Sequence, residues 1–179
     1  MRTIIPFNSG WLYAPRDLGI NAPDDEFISV TLPHTNIVLP WHNFDNAEYQ
    51  FISTYRKRFT LPERVNGRRV YLDFDGAMIA SDVIVNGHTI GTNEGGFTPF
   101  SFDITDALVE RENVLTVRLD STERPDITPY GFVVDYLTFW RHLPRCAPAL
   151  CRACPHRECV RAAARCTHTA KRHRRCSPA

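Results

Sequence analysis

The sequence predicts an all-β fold, a sandwich of short strands, and three observations carry that prediction. Apolar and polar residues alternate at period two in separate short runs, as where Val70, Leu72 and Phe74 alternate with Tyr71, Asp73 and Asp75. Turn dipeptides bound those runs: Asn66-Gly67, Asp75-Gly76, Asn86-Gly87 and Gly95-Gly96. No segment sustains a 3.6-residue period. At 179 residues the chain is long enough for one domain with its own core.

Trp11-Leu12-Tyr13 opens the apolar pattern. Phe27–Leu32 then alternates Phe27, Ser29 and Thr31 with Ile28, Val30 and Leu32, which predicts a strand whose apolar face is the second set. Pro33-His34-Thr35 ends it, and the aromatic, amide-rich Pro40–Gln50 has no period and reads as a loop. Thr54–Leu61 sets Tyr55, Lys57 and Phe59 on one face and Arg56 and Arg58 on the other. Its three adjacent basic residues are therefore splayed, and the expectation is a solvated edge strand rather than a nucleic-acid patch. Ser81–Val85, Asn86-Gly87 and His88–Gly91 read as a hairpin, because a type I′ turn needs positive φ at both central residues. Phe97, Phe100, Phe102 and Ile104 are expected in the core. Asp106–Val109 has room for one helical turn at most. Val114–Leu119 is a strand with Leu115, Val117 and Leu119 inward.

A resemblance rests on these residues. The strand ending Phe74-Asp75-Gly76, the run V-I-V-N-G-H-T-I-G at 83–91 and the run E-G-G-F-T-P-F-S-F-D-I-T at 94–105 together resemble the N-terminal sugar-binding domain of family 2 glycoside hydrolases. That group contains β-galactosidases, β-glucuronidases and β-mannosidases. Leu32-Pro33-His34-Thr35, the Y-R-x-x-F strand from Tyr55 and Asp135-Tyr136-Leu137-Thr138-Phe139 extend the match. The resemblance implies a jelly-roll β-sandwich of the galactose-binding type, which agrees with the strand rhythm.

Candidate sugar contacts follow. In the 40–50 loop, the Trp41 face suits the apolar C–H patch of a pyranose, and Asn43 and Asp45 suit its hydroxyls; the alternative is that Trp41 and Phe44 plug one end of the sandwich. By position in the resemblance, Asp135 reaches the substrate in a neighbouring barrel, against the alternative of a loop Asp bonding backbone N–H groups. His34 is either a further sugar contact or a structural histidine bonding a loop backbone.

Charge divides the chain. Residues 1–139 hold 11 Lys and Arg against 19 Asp and Glu, whereas residues 140–179 hold 10 against 1. All six cysteines, Cys146, Cys151, Cys154, Cys159, Cys166 and Cys176, lie in the second part. The expected division is a sugar-binding sandwich over 1–139 and a Cys/Arg-rich tail over 140–179 without evolved structure, disordered or sticky. Permitted codons for Trp140–Ala149, read one base on, give G-G-I-Y-R-D-V-H-L, the continuation the resemblance implies after D-Y-L-T-F. His156–Ala163 gives I-E-N-V-F-V-R-P in the same frame, similar to the start of an immunoglobulin-like domain. The tail is therefore expected to be frameshifted. Its other reading is a zinc site built on Cys146, Cys151, Cys154, His156 and Cys159, with the Arg and Lys excess holding phosphates, although only one close cysteine pair is present where structural zinc uses two.

The resemblance implies a parent enzyme that hydrolyses terminal β-glycosides with two glutamates on a barrel, which these residues cannot also contain. The chain is expected to bind and scaffold without turnover itself. A free-standing lectin-like binder using the 40–50 loop is the alternative. Expected partners are a β-galactoside-like carbohydrate and the barrel and immunoglobulin-like domains of the parent. No cofactor, metal, nucleic-acid or membrane partner is expected. No leader or spanning segment opens the chain, so the expected location is cytoplasmic.

Overall fold

The computed structural model describes residues 3–35, 48–61, 68–128 and 130, and the backbone of 146–152. Ten strands follow in chain order: β1 (Thr3–Ile4), β2 (Trp11–Ala14), β3 (Ile28–Val30), β4 (Ile52–Phe59), β5 (Arg68–Phe74), β6 (Ala80–Val85), β7 (His88–Glu94), β8 (Phe100–Asp103), β9 (Asn113–Asp120) and β10 (Cys146–Arg152). Single 3-10 turns occupy Asp24–Glu26 and Thr105–Ala107, the second where one helical turn was expected. The strands form a four-stranded sheet ordered β1-β10-β5-β8 and a six-stranded sheet ordered β3-β2-β4-β9-β6-β7. Every pairing is antiparallel.

The core lies between the sheets and follows the period-two pattern. Val70, Leu72 and Phe74 of β5 are buried with Tyr55, Phe59, Val83, Val85, Leu115, Val117 and Leu119 of the six-stranded sheet. Each such side chain contributes about 1.5–3 kcal/mol on burial, so the alternation fixes which face of each strand turns inward. Lys57 shares that inward face. Its ammonium donates to the Ser9 carbonyl and lies 4.6 Å from the Phe7 ring centroid, so a charge inside the sandwich is held by a carbonyl and a ring face.

The Asn86-Gly87 turn joins β6 to β7 with φ of 51° and 82°, as the type I′ reading requires. Gly91 faces Phe102 so closely that a Cβ there would sit 2.5 Å from the ring. That approach is how β7 of one sheet meets β8 of the other.

The structure corrects three expectations. First, β4 is no edge: it lies between β2 and β9, and Arg56 is 1% exposed because residues 16–26 cover the outer face of the sheet there. Second, the strand within 27–32 is three residues long and its faces are reversed at one end. Ile28 is 60% exposed, while Phe27 is buried with the Arg56 guanidinium 4.4 Å above its ring. Third, Phe97 is 57% exposed rather than in the core, while Ile104 is buried. Within the 140–179 tail, Cys146–Arg152 form a strand although their sequence has no strand period. Main-chain hydrogen bonds need no particular side chains, and β5 supplies them along its whole length. The rest of the tail lies outside the described residues.

Candidate functional site

Trp41, Asn43, Asp45 and Asp135 lie outside the described residues. What the structure describes is the framework from which their two segments leave. Downstream of the 40–50 loop, the Phe51 carbonyl accepts the Ser121 backbone N–H at 3.2 Å and the Ser121 hydroxyl at 2.7 Å. Glu123 N–H reaches Gln50 Oε1 at 3.5 Å. Asp120 Oδ1 accepts from the Thr122 N–H at 2.9 Å and its hydroxyl at 2.6 Å, which turns the chain as β9 ends. Ile52 is opposite Asp120 in the β4–β9 register. The end of the loop and the start of the segment leading to Asp135 are thus fastened to one another at one rim of the sandwich. Beneath that rim, Met78, Ile79, Ala80 and Ile127 form a small apolar cluster.

His34 borders the 40–50 loop on its upstream side. Its Nδ1 lies 3.0 Å from the Tyr55 hydroxyl, and its ring centroid is 4.7 Å from that of Tyr13. Tyr13 and Tyr55 rings are 4.9 Å apart. Burial pushes Tyr13 up to about 12 and Tyr55 further up still, with the neighbouring Tyr13 adding to the second shift. Burial likewise lowers the pKa of His34. All three rings are therefore uncharged near neutrality, and the pair bond fixes the imidazole orientation. The partner is a tyrosine hydroxyl from the central strand, not the loop backbone that the structural reading anticipated.

Sequence reasoning missed a second feature. A hollow of about 370 Å³ on the outer face of the six-stranded sheet is lined by Ile20, Asn21, Ala22, Arg56, Arg58, Asn86, Gly87, Val114 and Thr116. The alternation of Arg56 and Arg58 with Tyr55 and Lys57 was the available signal. Its arginines are already engaged by protein. Arg56 donates to the carbonyls of Gly19, Ile20 and Ala22 and to Asp24 Oδ1 at 2.9 Å. Arg58 donates to Asp24 at 2.7 Å and to Glu112 at 3.2 Å. The Arg58 hydrogen bond is the main reason that the Asp24 carboxyl lies below its usual range. The hollow is a clamp that ties residues 19–24 to the sheet. Among the described residues, no group of three or more His, Cys, Asp or Glu is placed to hold a metal ion, and no helix is long and apolar enough to cross a membrane.

The two antiparallel sheets define a β-sandwich domain, an architecture that by itself leaves the function open. The family model described as glycosyl hydrolase 2 galactose-binding domain-like matches residues 35–129, and the chain belongs to that family. A β-galactosidase of Thermoanaerobacter pseudethanolicus is 42% identical over 144 residues, 77% of this chain and 19% of that protein. A β-galactosidase of Thermoanaerobacterium thermosulfurigenes is 42% identical over 144 residues, 78% of this chain and 20% of that protein. Among solved structures, a Bacteroides uniformis β-glucuronidase matches with a TM-score of 0.70 at 25% identity, covering 84% of this chain and 18% of that one. The chain spans about a fifth of the length of these relatives. The matched residues correspond to the galactose-binding-like domain that the family model describes.

Proposed function

We propose that this chain is the sugar-binding and scaffolding domain of a family 2 glycoside hydrolase that removes terminal β-galactosides. Trp41, Asn43 and Asp45 on one segment and Asp135 on the other supply substrate contacts to a barrel active site, with His34 holding the upstream end of the first. The observation that carries this reading is the fastening of Phe51 to Ser121 and of Gln50 to Glu123, which sets the bases of both segments at one rim. Residues 1–139 are the working domain on this reading, and residues 140–179 add no sugar contact. The similarity to two β-galactosidases supports a galactoside over a glucuronide.

A chimera tests it. Residues 1–139 replace the matching segment of the Thermoanaerobacter pseudethanolicus β-galactosidase, and hydrolysis of a chromogenic β-galactoside is followed. The expected result is an active enzyme whose kcat/KM falls about tenfold or more with Asp135→Ala, as loss of a hydrogen bond to substrate implies. A folded, active chimera indifferent to Asp135→Ala and to Trp41→Ala would overturn the proposal.

A further inference from the structure

We infer that the hollow on the outer face of the six-stranded sheet is a binding site for one neutral sugar ring, separate from the rim. Alternation along β9 turns Thr116 outward, against the inward Leu115 and Val117. The registers set it between Arg56 of β4 and Ile84 of β6. Thr116 lines the hollow and is only 3% exposed, yet its hydroxyl is bonded to no other described residue. The side-chain amide of Asn21, which also lines the hollow, is likewise unbonded among the described residues. A hydroxyl so deeply set, with no protein partner, is expected to serve water or a ligand.

The rest of the lining selects the ligand. Arg56 and Arg58 are met by Asp24 and Glu112, so two cations stand against two carboxylates and the balance favours a neutral molecule over an ion. Arg58 uses three N–H groups in those pairs, and a guanidinium has five, so two remain for an uncharged acceptor. Ile20 is 44% exposed, and its Cδ1 lies 3.9 Å from where a Cβ on Gly87 would stand. An apolar side chain thus borders the bare backbone of the hairpin turn. Hydroxyls, which donate and accept, suit Asn21, Thr116 and Arg58, while the C–H face of a pyranose suits Ile20. At about 370 Å³ the hollow is near the lower end of small-molecule sites, about 300–1,000 Å³, which is room for one ring and not for a chain.

Its place keeps it apart from the rim. Val114, also in the lining, is six residues before Asp120 on β9, roughly 20 Å along a strand that rises about 3.3 Å per residue. A sugar held there leaves the rim open and gives the domain a second hold on a glycan.

The test is an NMR titration of the whole, isotope-labelled 179-residue protein with methyl β-galactoside. A Kd on the order of 1 mM is expected for so small a ligand, with shifts centred on the amides of Asn21, Gly87 and Thr116. Thr116→Val keeps the shape and removes the hydroxyl, and Asn21→Ala alters only an exposed side chain. Each should weaken binding about fivefold or more, as loss of one hydrogen bond implies. The rim is read separately, since a ligand there shifts the amides of Phe51 and Ser121 instead. No shifts around the hollow at about 50 mM glycoside, well above that Kd, would overturn the proposal. So would binding that neither substitution weakens, or glucuronate or inorganic phosphate bound there more tightly than the neutral glycoside.

Discussion

Asn86 and Asn113 are bonded side chain to side chain, Nδ2 of the first to Oδ1 of the second at 2.8 Å. The contact joins the tip of the β6–β7 hairpin to the first residue of β9. Asn86 Oδ1 also accepts the Val114 N–H at 2.8 Å, and Asn86 Nδ2 donates to the Ala107 carbonyl at 2.8 Å. Asn113, fully buried, accepts the Val109 N–H and donates to the Val109 and Arg111 carbonyls. The two amides thus bond five backbone groups of the 107–114 connection. Asn113→Ala leaves several buried groups without partners, and the expected cost is about 2–3 kcal/mol, read by urea unfolding. Asn86→Gly keeps the positive φ while deleting the side chain. A smaller loss of about 1–2 kcal/mol is expected there; no loss from either change would contradict this account.

Arg56 should behave as a structural cation. All four of its terminal N–H donors serve residues 19–24. Arg56→Met removes them while keeping much of the stem, and the expected destabilisation is about 1–3 kcal/mol, from the carbonyls left without donors. Arg56→Lys should recover little, since a single ammonium cannot reach that spread of carbonyls. Unfolding curves for the two variants compare directly, and full recovery by lysine would refute the clamp.

The close approach of β7 to β8 is testable through Gly91. A methyl group there collides with the Phe102 ring, so Gly91→Ala should cost about 1–3 kcal/mol from overpacking. Adding Phe102→Leu removes the obstructing ring atoms. The double variant should therefore be more stable than the sum of the single changes allows, and a thermodynamic cycle measures the difference.

His34 gives the pH dependence a definite sign. Its folded pKa lies below the unfolded value because burial disfavours the imidazolium. The unfolded state therefore binds more protons, and stability falls as pH drops through the unfolded value near 6.5 toward the folded one. Asp24 runs in the same direction at lower pH. Its depressed pKa gives stability that is present above the ordinary carboxylate range and is lost as pH falls through its folded value. Melting temperatures at about pH 7.5 and 5.5, either side of that unfolded value, should differ less in His34→Asn than in the original protein. An unchanged difference would show that other groups control this window.

Much of the fold was legible because its causes are local. Alternation placed Val70, Leu72, Phe74, Leu115, Val117 and Leu119 inward, and Asn86-Gly87 marked the hairpin. The misreadings concern effects between distant residues. That Arg56 is buried depends on residues 16–26 crossing the outside of the sheet, and alternation along β4 carries no trace of it. Phe27 turns away from the predicted apolar face because Arg56 offers its ring a cation. β10 was illegible for a different reason, since its position is set by the open edge of β5 and not by its own residues. The rim at which Phe51 meets Ser121 was invisible for the first reason: the two are 70 residues apart in the chain.

On the proposed scaffolding reading the 179-residue chain should not hydrolyse glycosides by itself, and the shifted carboxyls among the described residues agree with that. Retaining hydrolysis needs a nucleophile and, about 5–5.5 Å away, a carboxylic acid kept protonated by a raised pKa. Among the described residues, every carboxyl with a pKa away from its ordinary value is lowered. Asp24 is held down by its bond to Arg58, Asp103 by Thr105 and Arg69 against the opposing effect of burial, and Asp126 by Arg124. Groups so placed are ionised at neutral pH and already engaged by cations, so none is a proton donor to a leaving group. Incubation of the purified chain with chromogenic β-galactoside and β-glucuronide should give the buffer rate for both. Turnover that co-purifies with the protein and vanishes in a Glu→Gln scan would place a catalytic pair in this chain and end the scaffolding account.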